Sequence, residues 1–134
     1  MIGIVIVAHG GLAREYLAAV EHVVGKQSGV VAIAIGPEDD RAAKQTEICD
    51  AADSVDEGSG VVIVTDIFGG SPSNLSLRAC SPSNRRILYG MNLPLLIKLA
   101  KCRRKTVTEA VDAAMAAGRK YINSHSVNSD MTSK

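Results

Sequence analysis

His9 stands at the end of an apolar run, MIGIVIVA, and is followed at once by Gly10 and Gly11. Two glycines keep bulk away from the imidazole and leave the ring open to a reaction partner. Neutral imidazole is a nucleophile at one ring nitrogen, provided a neighbour accepts the proton on the other and so fixes the tautomer. Asp66, in the segment VTDIFGGSPSN, is the carboxylate suited to that task. If the electrophile is phosphorus, the transferred group brings negative charge that needs donors. The backbone N–H groups of Gly70 and Ser71 at a helix start, with the Ser71 hydroxyl, supply them. This chemistry calls for no metal and no cofactor.

These groups lie far apart in sequence, so the fold must bring them together. Met1 to Ala8 is a continuous β-branched run rather than an alternating one, which predicts a strand buried on both faces of a parallel sheet. Leu12, Tyr16, Leu17, Val20 and Val24 form a helical stripe over 12–24 that stops at Gly25. Val30 to Ile35 reads as a second buried strand. The turn GPEDD then leads into a helix over Arg41 to Val55, with Ala42, Gln45, Ile48, Cys49, Ala52 and Val55 on one face. Gly58 and Gly60 end that helix, and Val61 to Val64 is a third strand delivering Thr65 and Asp66 to its carboxyl end.

Ser71 and Pro72 suit the cap and first position of a short helix running to Cys80. Arg86 to Tyr89 reads as a fourth strand, followed by GMNLP and a helix to about Ala100. Thr106 and Glu109 have capping-box spacing, and the last helix shows an apolar face from Val107 to Met115, up to Gly118. Strands alternating with helices predict a three-layer α/β/α fold, a doubly wound and mainly parallel sheet of four strands. One domain over 1–123 is expected, with a polar tail over 124–134. In such a sheet the site lies outside the carboxyl ends of the strands. That rule selects His9 to Gly11, Asp66 to Ser71 and Gly90 to Asn92.

Each signal has an ordinary structural reading. A strand-end histidine, an aspartate in a turn and a Gly-Gly-Ser-Pro cap are all common without chemistry. Their convergence on one sheet edge is what favours a site. His22, inside a helix, and His125, in the tail, are assigned no role. The basic residues Lys101, Arg103, Arg104 and Lys105, and likewise Arg85 and Arg86, read as solvated charge.

Composition sets the frame. The chain has 134 residues, 46% of them hydrophobic, enough for one core. A net charge of +1, from 15 Lys and Arg against 14 Asp and Glu, gives no case for nucleic acid or an anionic membrane. No run is long enough to cross a bilayer and no leader pattern precedes His9, so a cytoplasmic location is expected. Cys49, Cys80 and Cys102 are odd in number and widely spaced, which argues for reduced thiols rather than disulfides or zinc ligands.

IVIVAHGG, VTDIFGGSPSN and GMNLPLL, in this order and spacing, resemble the IIA domain of the mannose family of the sugar phosphotransferase system. The similarity runs to about Ile122. It implies a phosphoryl carrier in which phospho-HPr donates to His9 and a IIB protein accepts, phosphoenolpyruvate being the ultimate donor. It further implies that Asp66 holds the Nδ1 proton, that Nε2 is phosphorylated, and that Ser71 and neighbouring amides bind the phosphate. Family members are homodimers with an antiparallel edge strand near the C-terminus, which implies exchange of a segment around Tyr121 to Val127. The chain ends at Lys134 with no linker or fused IIB domain, so the acceptor is expected to be a separate chain. DIFGGSP favours this family over the phosphocarrier of dihydroxyacetone kinase.

Transport and regulation could both use such a histidine. A flavodoxin-like module binding a nucleotide or small ligand is the alternative from another class, but HGGLAR is no G-x-G-x-x-G and no G-K-[ST] is present. A serine hydrolase lacks its G-x-S-x-G elbow.

Overall fold

The computed structural model describes residues 1–67 and 82–127. The helix expected over Ser71 to Cys80, with Gly70 and Ser71, lies outside them. Four strands, β1 (Gly3–His9), β2 (Val30–Ile35), β3 (Val61–Thr65) and β4 (Arg85–Leu88), form one sheet in the order β2-β1-β3-β4. Every pairing is parallel. The described helices are α1 (Leu12–Val24), α2 (Arg41–Val55), α3 (Leu93–Lys101) and α4 (Val107–Lys120).

Because successive residues of a strand point to opposite faces, the unbroken apolar run of β1 serves two cores. Ile2, Ile4, Ile6 and Ala8 pack with Val62, Val64 and Leu88 against α1, α3 and α4. Val5 and Val7 pack with Ile33, Ile35, Val61 and Ile63 against Ile48, Ala52 and Val55 of α2. This is the expected three-layer arrangement. Gly3 is needed where β1 passes α2, since a Cβ there would overlap the Val55 carbonyl oxygen and lie 2.6 Å from its Cγ2.

The bounds of α1, β2 and α2 coincide with those expected from sequence. Asp40 caps α2 by accepting from the Ala42 amide at 3.1 Å, and Gly25 follows α1 at φ +91°. The capping box of Thr106 and Glu109 is formed. Strand β4 starts at Arg85 rather than Arg86 and ends at Leu88 rather than Tyr89. Helix α4 continues through Gly118 instead of stopping there. The residue serves contact, not termination, since a Cβ would sit 3.1 Å from Leu95 Cβ. Two members of the expected apolar faces, Leu12 and Ala42, are exposed.

The solvated reading of the arginines fails at two positions. Arg85 is 7% exposed and pairs with Asp53 at 2.7 Å and Asp56 at 3.3 Å. Arg103 is 4% exposed and donates to the carbonyls of Ile2 at 2.8 Å and Gly29 at 3.1 Å, and to Gln27 Oε1 at 3.3 Å. It ties the turn after α3 to the starts of β1 and β2. Cys102 is buried and Cys49 half-buried, neither in a disulfide, and Cys80 lies outside the described residues. Residues 122–126 take no regular structure and make no strand within the chain. No helix among the described residues is long and apolar enough to cross a membrane.

Candidate functional site

The chain winds from β1 outward to β2, then returns past β1 to β3. The reversal opens a crevice between the carboxyl ends of β1 and β3. His9 is the last residue of β1, and Asp66 follows the last residue of β3. Fifty-seven residues apart in sequence, they are adjacent in space.

His9 Nδ1 lies 2.8 Å from Asp66 Oδ2, and the His9 amide donates to the same oxygen at 3.1 Å. The Ile67 amide donates to Asp66 Oδ1 at 2.9 Å. A carboxylate only accepts, so the short contact assigns the donor role to Nδ1–H and leaves the lone pair on Nε2. Burial pushes the Asp66 carboxyl upward, but the bonds from the His9 ring, the His9 amide and the Ile67 amide outweigh it and hold it below its ordinary value of 3.8. Asp66 therefore stays ionised at neutral pH. Its side chain is 13% exposed whereas that of His9 is 49% exposed, so the carboxylate is sheltered while the ring faces solvent.

The backbone keeps the approach to the ring clear. Gly10 turns at φ +59°, its amide held by the Ile35 carbonyl at 3.0 Å, and a Cβ on Gly10 or Gly11 would meet nothing within 4 Å among the described residues. Gly11 is the N-cap of α1 and offers no side-chain acceptor, so the first amides of that helix are free to face an anion. Leu12 and Ile67, the apolar residues next along each chain, are 41% and 53% exposed.

Of the third expected segment, only the backbone reaches the crevice. The Met91 amide donates to the Thr65 carbonyl at 3.1 Å and ties this loop to the end of β3. Asn92 is structural: its Oδ1 accepts from the Leu95 amide at 3.1 Å, capping α3, and its Nδ2 donates to the Gly118 carbonyl at 2.9 Å. Sequence reading placed Thr65 at the carboxyl end of β3 without giving it a role; it is fully buried beside Asp66 in sequence, its hydroxyl lacking a hydrogen-bond partner among the described residues. Nothing in its spacing distinguishes it from an ordinary strand threonine. His22 is exposed in the last turn of α1, at the far end of that helix from His9, and His125 is exposed near the C-terminus. Among the described residues no group of three His, Cys, Asp or Glu side chains could hold a metal.

Comparison with known proteins identifies the family and the fold. The family model described as "PTS system fructose IIA component", EIIA-man, matches residues 3–117. The chain is 33% identical over 113 residues to YadI of Escherichia coli K12, a phosphotransferase enzyme IIA component by name, covering 82% of this chain and 75% of that protein. It is 27% identical over 124 residues to the mannose-specific EIIAB component of the same strain, covering 90% of this chain but only 38% of that longer protein. Among solved structures, the phosphotransferase system component EIIA of Streptococcus agalactiae superimposes with a TM-score of 0.83 at 25% identity, over 92% of this chain and 97% of that one. These likenesses favour a phosphoryl carrier over a flavodoxin-like ligand-binding module.

Proposed function

Since the chain belongs to the EIIA-man family of phosphotransferase system IIA components, we propose that His9 is its phosphoryl acceptor, with Asp66 as the residue that readies it. The observation that carries this reading is the 2.8 Å contact between Nδ1 and Asp66 beside an exposed ring. The Nε2 lone pair attacks the phosphorus of phospho-HPr, a new N–P bond forms, and the donor's N–P bond breaks with its electron pair returning to the donor nitrogen. Asp66 stabilises the positive charge that the His9 ring acquires. Gly70 and Ser71, through amides and hydroxyl, hold the phosphoryl oxygens. The group then leaves by the reverse chemistry to a IIB protein or a regulatory target.

Exposed Leu12 and Ile67 fit a protein donor, because apolar side chains around a nucleophile offer area to a docking surface. In this reading residues 1–123 form the IIA domain, 124–134 its polar tail, and the protein works in the cytoplasm. It is a homodimer. Among the described residues β4 is the last strand of the sheet, beside a groove of about 300 Å³ lined by Leu88, Leu95, Val111, Met115 and Ile122, while Tyr121, Ile122 and Val127 are exposed. A second copy's 121–127 segment would cover that edge.

The test is transfer of labelled phosphate from phosphoenolpyruvate through Enzyme I and HPr. Wild type should acquire acid-labile, alkali-stable label and His9→Ala none. An unlabelled wild type beside a labelled IIA control would refute the assignment.

A further inference from the structure

At the opposite end of the sheet, Lys26, Gln27, Ser28, Ala100, Lys101, Arg103 and Arg104 join Met1 around a cleft of about 240 Å³. The strands begin here, and the seven residues of β1 separate the cleft from His9 by roughly 20 Å. Four of its lining side chains are cationic and none is acidic. Arg103 is the unusual member. It is 96% buried, yet all three of its side-chain hydrogen bonds go to neutral oxygens, those of Ile2, Gln27 and Gly29. Among the described residues no carboxylate lies within ion-pair distance of it. Burial pulls its basicity down, opposed only by the more distant charge of Glu57.

A buried guanidinium without a counter-charge is costly, and the fold has been shaped to hold it. Gly29 takes φ +69°, and a Cβ there would sit 2.8 Å from Arg103 Nη2, so the glycine lets the guanidinium reach its carbonyl. The three bonds occupy three of the five N–H donors of an arginine, leaving two for a ligand. The bland explanation, that basic residues balance the carboxyl ends of α1 and α3, fits exposed Lys26 and Lys101. It does not account for a buried Arg103.

We propose that this cleft is a binding site for a small phosphate-bearing anion, with Arg103 at its floor and Lys26, Lys101 and Arg104 at its rim. Its size suits a phosphate group with a short organic remainder rather than a nucleotide. Bound there, the anion would brace the starts of β1 and β2 against the turn after α3. The site is separate from His9, and its ligand is an effector rather than the transferred group.

The test is titration of the full chain with inorganic phosphate and with pyrophosphate, at fixed ionic strength against chloride, followed by amide chemical shifts. Saturable shifts at residues 26–29 and 100–104 with a Kd of about 1 mM or tighter are expected. They should persist in His9→Ala, which separates this site from any phosphate binding beside His9. The double variant Lys26→Glu, Lys101→Glu, altered only at exposed positions, should weaken binding by about tenfold or more, with labelling of His9 by phospho-HPr unchanged. Absence of saturable shifts in these segments, or shifts that survive the double variant undiminished, would overturn the proposal. So would shifts reproduced by chloride alone.

Discussion

An aspartate oxygen that accepts both the ring proton and the backbone amide of His9 fixes the side chain and its tautomer together. Asp66→Asn separates those effects. The amide can present its NH2 to Nδ1, which moves the ring proton to Nε2 and removes the nucleophile there. The proposed phosphoryl acceptance should slow by about 10²–10⁴-fold while the fold is kept, measured by rapid-quench labelling from phospho-HPr. An unchanged rate would remove Asp66 from the mechanism. The carboxyl also makes a pH prediction. Its folded value lies below 3.8, so the stability it contributes is fully present above 3.8 and is lost as pH falls through the lower folded value. Urea midpoints of wild type and Asp66→Asn should differ at pH 7 and converge in acid.

Strands and helices position these atoms, and each has a fastening that can be cut. Asn92 caps α3 and holds α4 through the Gly118 carbonyl, so Asn92→Ala should lower stability by about 1–2 kcal/mol in urea denaturation without removing the His9–Asp66 contact. Arg85 bridges the start of β4 to the end of α2 through Asp53 and Asp56, and Arg85→Ala should cost about 1–3 kcal/mol, since Asp53 is largely exposed and screened. How far such features can be read in sequence follows from their range. The bounds of α1 and α2 were legible because Gly25 and Asp40 act on their own neighbours. The pairing of His9 with Asp66 was legible because parallel winding brings the ends of β1 and β3 together. Arg85 and Arg103 were not, because their partners are distant in sequence and a run such as CRRK gives no hint of which arginine turns inward. Asn92 was read only within GMNLP and as part of the segment at the sheet edge, and its bond to Gly118, 26 residues away, was not legible.

For the whole molecule, the edge that β4 forms among the described strands and the exposed segment after α4 carry the proposed dimer. Truncation after Lys120 should convert a dimer to a monomer in light scattering at matched concentration while His9 is still labelled. A full-length chain that is monomeric would refute the exchange. The sheltered carboxylate on one side of His9 and solvent on the other also bear on timing. In the proposed relay, with Nδ1 engaged, donor and acceptor must use the same ring nitrogen, approached through the same opening over Gly10 and Gly11. Two proteins cannot occupy that opening together, so they must visit in turn and each excludes the other. Transfer then follows a double-displacement rhythm in which unphosphorylated donor competes with the acceptor, and an excess of either partner slows the relay it serves.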